Sequence, residues 1–433
     1  MLVLCDEQFD NQIVEFAFVT NDGVLLPIDS ERWEQRAQER RNKELKTAKE
    51  DVDKILKQID KDLQSGDLET IDGNRRAVVF YVDSETEFLK YLAWWVYTWK
   101  MIKLNIAEEA FDIILMTHPE YIEKLPNDCN KIPDGFDPRF SGPGRCLYKE
   151  LLGLSYRDNR YDIYVNSQEC LVNPAASFLS KYRLLMRADI DTFPTPGLLG
   201  YWPIDVICDR NAGTTFWRED IEKPIREAAE AAGIKHNHWH NTDSAWFGPT
   251  RRILALSKLT THLYRFVRAY MFGPGTKCRC ATCIELPKSC QWDFGIYPGT
   301  LLLYAQEIAM NKIWTQREYD EQQYAVLDIS CTDKEIHICD PVLLHAWHTY
   351  EPFSKFFFLN GSYKDWDLGT LDITNARDYS MYMAISSAGQ GRNQDQALRS
   401  YQEKEKGVLL HQLCQARNRN KEERGRGSLP VIP

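Results

Sequence analysis

The strongest constraint on this fold is a set of short, continuous apolar runs separated by helical stretches. AVVFYV at Ala77 to Val82, FDIILM at Phe111 to Met116 and YRLLMRA at Tyr182 to Ala188 are strand-length and largely apolar at every position. A strand apolar on both faces needs helices on both sides, which is the environment of a mainly parallel sheet. Helical spacing follows the first run from about Glu85 to Lys103 and recurs from Arg251 to Met271 and from Gly299 to Lys312. YDIYVN at 161 to 166 is a further candidate strand, ahead of a helical segment that ends at Lys181, and a strand-like stretch runs from Tyr324 to Ile329. The expected class is α/β, a mainly parallel sheet flanked by helices.

Ahead of these runs, residues 12 to 29 read as two short strands around Asn21-Asp22-Gly23, a hairpin signal. Ser30 to Gln64 reads as one long helix with Leu45, Val52, Ile55, Leu56, Ile59 and Leu63 as its apolar stripe. The stripe covers only about three heptads, so a helix packed on the body is favoured over a coiled-coil dimer. Three regions result: residues 1–75 with the hairpin and long helix, 76–370 as the catalytic core, and 371–433 as a C-terminal helix, placed near 394 to 414, with a polar tail.

A chain of 433 residues with 43% apolar and 12% aromatic residues can bury a sizeable core, which excludes a disordered chain. The net charge of −10 argues against nucleic acid or an anionic membrane as the main partner, since either demands a basic face. No run approaches the roughly 18 apolar residues of a membrane span, and Met1 to Phe18 lacks the basic-then-apolar order of a signal peptide. Twelve cysteines leave the redox compartment open. In the cluster Cys278, Cys280, Cys283 and Cys290, disulfides or reduced thiols are favoured over zinc, because a one-residue first spacing is not the usual zinc pattern.

The acidic triplet Asp189-Ile190-Asp191 falls at the carboxyl end of the YRLLMRA strand, where open α/β sheets bind ligands. Two carboxylates two residues apart share a side and suit a hard cation such as Mg²⁺ or Mn²⁺. Taken alone, such a triplet is commonly a solvated turn.

In KYRLLMRADIDTFPTP the chain resembles glycosyltransferases of the GT-A type. The resemblance extends over WHNTDSAWFGP at 239 to 249, FGIYPGTLLLYAQEIAMN at 294 to 311 and LLHAWHTYEPFSKFFFLNGSY at 343 to 363, covering roughly residues 76 to 365. It is to an uncharacterised eukaryotic and viral glycosyltransferase-like group. It implies a GT-A-like, Rossmann-like core in which Asp189 and Asp191 hold Mn²⁺ or Mg²⁺ against the diphosphate of a nucleotide sugar, with a late histidine, His348 first and His345 second, completing the metal set. The partners implied are a nucleotide-diphosphate sugar and a glycan or glycoprotein acceptor. The location implied is either cytoplasmic, as for a viral enzyme, or the Golgi lumen for a chain without its anchor.

Other residues carry two readings each. Asp243, Asp293 and Glu307 are candidates for the base that deprotonates the acceptor, each more readily explained as structural or solvated. Arg187 and Lys355 are placed to contact phosphate oxygens or to pair with the carboxylates. Asp83 accepts from the ribose or base of the donor, or caps the helix that starts at Ser84 and Glu85. HNHWH at 236 to 240 would place three histidines on one face of a strand and hold zinc, although a loop lining the sugar pocket is favoured. Trp239, Trp246 and Trp292 stack on sugar rings or pack in the core. The rival functions are a non-catalytic sugar- or protein-binding module and a nucleotidyltransferase. The latter calls for a glycine-rich basic loop after the first strand, where this chain has VDSETEFLK.

Overall fold

The computed structural model of the chain describes residues 17–19, 25–27, 30–65, 75–82, 86–102, 111–139, 142–152, 154, 162–208, 219–240, 245–272, 300–316, 318–319, 327–346, 353–393 and Cys414. Its centre is a seven-stranded sheet. The strands are β3 (Arg76–Val82), β4 (Phe111–Thr117), β5 (Cys129–Lys131), β6 (Cys146–Glu150), β7 (Leu184–Arg187), β9 (Ile207–Cys208) and β10 (Trp246–Pro249), in the order β5-β6-β4-β3-β7-β10-β9. β5, β6, β4, β3 and β7 pair in parallel, whereas β10 runs antiparallel to both neighbours.

Side-chain alternation explains the apolar runs. Val78, Phe80 and Val82 of β3 enter one core with Phe111, Ile113 and Leu115 of β4, while Ala77, Val79, Ile114 and Met116 enter a second core on the other face. The first core is covered by α2 (Thr86–Met101), whose Trp94 and Trp95 are fully buried, and by α8 (Ala376–Ser387). The second is covered by α1 (Ser30–Ser65), α3 (Asn166–Val172), α4 (Glu219–Ala231), α5 (Thr250–Met271) and α6 (Leu301–Ile313).

The long helix lies on the body as expected, with Val52, Leu56 and Ile59 buried, and Arg41 donates to the carbonyls of Ala269 and Tyr270 at the end of α5. The hairpin is present as β1 (Ala17–Val19) paired with β2 (Leu25–Pro27). One expected strand is corrected: residues 162–165 of YDIYVN form a 3-10 turn and Asn166 opens α3. Its polar-apolar alternation imitates a strand, and the helical signal lies only further on, in the buried pairs Asn166 with Cys170 and Gln168 with Leu171, four and three residues apart. The strand beside β4 is instead β6, CLYKE, linked to β5 by the Cys129–Cys146 disulfide. A second disulfide joins Cys339 to Cys414. The described part of the core also continues past residue 370, since α8 packs against α2. The predicted helix from 394 to 414 lies outside the described residues apart from Cys414.

Beyond β7 the chain leaves the large sheet and enters β8 (Thr192–Pro194), which pairs antiparallel with β12 (Leu343–His345). β12 in turn pairs in parallel with β11 (Asp328–Ser330). Asp189 and Asp191 therefore lie in the turn between two sheets, at the carboxyl edge of the parallel strands.

Candidate metal site at the carboxyl edge

The backbone of this turn is fixed by pairing distant in sequence. His345 is the last residue of β12 and stands opposite Thr192, and the Ala346 N–H donates to the Asp191 carbonyl at 3.0 Å. From below, the Trp95 indole N–H donates to the Thr192 hydroxyl at 2.8 Å, and that hydroxyl donates to the Asp189 carbonyl at 2.8 Å. Trp94 stacks on Phe193 with ring centroids 4.8 Å apart, so the floor of the turn is rigid aromatic packing.

On this floor Asp189, Asp191 and His345 bring one ligand atom each within 4.8 Å of one another. His345 Nε2 lies 3.3 Å from Asp191 Oδ1. Lys355 opens the short helix α7 (Lys355–Leu359), and its buried ammonium contacts Asp191 Oδ2. Arg187, the last residue of β7, pairs with Asp189 Oδ1 at 2.9 Å and donates to the Ser167 hydroxyl at 2.8 Å. Burial alone would push the Asp191 carboxyl up; the Lys355 ammonium and the His345 imidazole outweigh it and hold the carboxyl well below the usual carboxylate range. The Asp189 side chain is 40% exposed and that of Asp191 13%, so the pair is graded from solvent inward.

Of the two histidines proposed for this site, the second, His345, is the one seen here; His348 lies outside the described residues. So do Asp83, Asp243, Asp293, Trp292 and the Cys278 to Cys290 cluster. Arg187 and Lys355 pair with the carboxylates, the second of their two sequence readings. Trp246 is fully buried on β10, and Trp239 is buried and stacks on Tyr319 at 5.4 Å, so both serve packing.

A second cluster gathers around Glu307, which is fully buried on α6. Its Oε1 lies 3.0 Å from His236 Nε2 and 3.1 Å from His240 Nδ1. His238, from the same HNHWH segment, contacts Glu222 of α4. Glu222 carries no role in the sequence reading. Ile221, Ile225, Ala228, Ala229 and Ala232, all buried at helical spacing, are the signal that would have found α4.

A cavity of about 500 Å³ lies elsewhere, at the amino edge near the starts of β5 and β6. Neither acid cluster lines it, and its cations are already paired: Lys100 with Asp128, Lys131 with Glu150, Arg145 with Asp112. At the carboxyl edge, by contrast, two carboxylates and an imidazole converge as a donor set that the cavity lining lacks.

Residues 71–416 match the family described as a domain of unknown function, DUF7164, over more than half of the chain. The chain belongs to that family. The matched span begins after α1 and includes both clusters, so the DUF7164 domain carries Asp189, Asp191, His345 and Lys355 as well as the histidine segment. No curated protein matches the chain. Among the described residues no helix is long and apolar enough to cross a membrane.

Proposed function

We propose that this DUF7164 protein is a metal-dependent glycosyltransferase of GT-A type, moving a sugar from a nucleotide-diphosphate donor to a hydroxyl of a glycan or glycoprotein acceptor. The observation that carries this reading is the convergence of Asp189, Asp191 and His345 at the carboxyl edge of a parallel sheet. The two carboxylate oxygens suit Mn²⁺ or Mg²⁺ and the imidazole nitrogen favours Mn²⁺ of the two, with Asp189 facing solvent, the side from which a diphosphate arrives. The cation, when bound, neutralises charge on the departing nucleotide diphosphate.

The chain's own residues supply the rest. Arg187, braced by Ser167, and Lys355 bring positive charge to the same point and are suited to phosphate oxygens. Glu307 is committed to two imidazoles, so the acceptor base falls to Asp243 or Asp293 in this reading. The Cys129–Cys146 and Cys339–Cys414 disulfides favour an oxidising compartment, hence the luminal alternative over the cytoplasmic one.

One observation favours a second reading, a non-catalytic sugar- or protein-binding module: each carboxylate already has a protein cation, Arg187 for Asp189 and Lys355 for Asp191. A thermal-shift series with nucleotide diphosphates and nucleotide sugars, with and without Mn²⁺, separates the two, because a ligand bound by the native state alone raises the melting temperature. The enzyme reading expects a rise that needs both Mn²⁺ and one particular nucleotide and that vanishes in Asp191→Asn. No rise with any nucleotide supports the binding module.

A further inference from the structure

The histidine segment stands apart from the carboxyl-edge site and brings its own donor atoms together. Just past the end of α4 stands Gly233, whose φ of +80° is the left-handed conformation of a helix C-terminus, and the Ile234 N–H donates back to the Ala229 carbonyl. The following segment is clamped to α6 by Asn311, whose Oδ1 accepts the Asn237 N–H at 2.7 Å and whose Nδ2 donates to the Trp239 carbonyl at 2.9 Å. Asn311 lies one helical turn from Glu307, so one face of α6 both holds the segment and presents the carboxylate to it.

The sequence would put the three histidines on one face of a strand, but the segment is no strand. His238 has φ +59°, a left-handed conformation disfavoured for a residue with a side chain. That bend gathers the rings, with His236 and His240 centroids 5.6 Å apart and those of His236 and His238 6.0 Å apart. Such strain persists where the surroundings enforce it, and it concentrates at functional sites.

Proton placement sorts the roles. His236 Nδ1 faces the backbone N–H of His238 at 3.2 Å, so it accepts; the ring proton is then on Nε2 and donates to Glu307 Oε1. A ring so committed cannot also be a metal ligand through Nε2. His240 differs: its Nδ1 meets the same Glu307 oxygen at 3.1 Å, and its Nε2 faces Glu222 Oε1 at 3.8 Å. His238 Nδ1 contacts that same Glu222 oxygen. Two imidazole nitrogens and a carboxylate oxygen thus lie within 4.8 Å of one another, His240 Nε2 and Glu222 Oε1 being 3.8 Å apart, and zinc with bonds near 2.0–2.1 Å, a tetrahedral edge of about 3.3 Å, would draw them closer. Behind them, Glu307 plays the part of the carboxylate that orients a metal-bound histidine through its other nitrogen. Its second oxygen, Oε2, is buried with no hydrogen-bond partner, an unspent acceptor whose charge favours a nearby cation. Arg226, one turn along α4, donates to Glu222 at 3.1 Å and fixes the orientation of that carboxylate.

We propose that Glu222, His238 and His240 form a binding site for a first-row transition dication, Zn²⁺ foremost, with Glu307 orienting His240 and His236 bracing Glu307. The donors select against Mg²⁺ and Ca²⁺, which prefer all-oxygen sets. The His238 side chain is 61% exposed, so the fourth position faces solvent. The site is independent of the glycosyltransferase reading.

The test is zinc titration of the full chain after chelator treatment, read by calorimetry and by metal content after desalting. Read in Asp191→Asn, where the carboxyl-edge set is broken, one zinc should bind per chain, and that chain is the parent for the variants that follow. His238→Gly deletes a ligand while relieving the left-handed residue, so it should fold as well as the parent and lose binding at least tenfold; Glu222→Gln should do the same from the other element. Glu307→Gln, acting through His240, should weaken binding by roughly ten- to a hundredfold. No zinc bound by the parent, or zinc held equally by His238→Gly and Glu222→Gln while both remain folded, overturns the assignment and places any metal elsewhere.

Discussion

Asp112 and Asp191 are both buried aspartates beside the same parallel strands, at opposite ends of the sheet, and their surroundings differ in kind. Asp112, near the start of β4, is fully buried. It accepts the Arg145 backbone N–H at 2.8 Å, the Arg145 guanidinium at 2.9 Å and the Tyr182 hydroxyl at 2.8 Å, with Arg75 at 3.5 Å. Among the described residues no metal-ligating cluster includes Asp112; its partners form a network that ties β3, β4, β6 and β7 together at their amino ends. Asp191 has Lys355 and His345, and beside it stands a second carboxylate that is 40% exposed. A closed network stabilises one arrangement, whereas an open one can exchange an internal cation for an external one.

Asp112→Ala tests the closed end and should have the largest effect. It leaves Arg75 and Arg145 buried without their anion, a loss of about 3–5 kcal/mol in denaturant unfolding, with unchanged metal or nucleotide response in whatever fraction folds. A loss under about 1 kcal/mol would show that the two arginines find solvent and that the network is not closed.

Lys355→Met tests the open end. Without the ammonium, Asp191 is a buried anion with the His345 imidazole as its remaining close partner, so stability should fall by about 3 kcal/mol in metal-free buffer. Mn²⁺ should restore much of this, roughly 2.7 kcal/mol at a hundred times its dissociation constant, and the thermal shift by Mn²⁺ should exceed that of the parent. Equal shifts in the two proteins would mean that Lys355 and the cation do not compete for Asp191.

The two ends also differ in how far they could be read from the sequence. Asp189 and Asp191 were legible because an apolar strand ran straight into them, and the carboxyl end of a strand is a local feature. That His345 stands beside them was not legible, since it depends on β12 ending opposite Thr192, a pairing across distant segments. β6 was missed because CLYKE has too few apolar residues to announce a strand; its place is set by β4 and β5 on either side. The histidine segment was singled out by alternation, although its rings converge through the left-handed His238 and through Glu222 and Glu307 from two separate helices. Asp112 itself drew no notice, because one aspartate inside an apolar run carries no sign of the arginines that meet it.

Asp189→Asn removes the outer carboxylate, and its effects should divide cleanly. The pair with Arg187 is partly solvated, so stability should change by no more than about 1 kcal/mol. Any Mn²⁺-dependent nucleotide shift should nonetheless be lost. If stability fell as far as in Asp112→Ala, the carboxyl edge would be as closed as the amino edge and the contrast between them would fail.

The smallest effect probes how deep the open end reaches. Cys170 lies on α3 in the layer behind Arg187, fully buried, and burial pushes its thiol up to about 12 against the small opposing pull of the Arg187 charge. At pH 8 a thiol of that pKa is about one part in ten thousand thiolate, and the thiolate is the reactive species. Iodoacetamide should therefore leave Cys170 unmodified for hours in the native protein and label it promptly in denaturant, as followed by peptide mass. Labelling within minutes under native conditions would mean that α3 opens along with the site, so that the solvent-facing gradient from Asp189 to Asp191 continues through Arg187 into the second core. Protection that persists with Mn²⁺ and nucleotide present would confine the opening to the turn between the two sheets, where a ligand can exchange with Lys355 and Arg187 without loosening the layer that holds them.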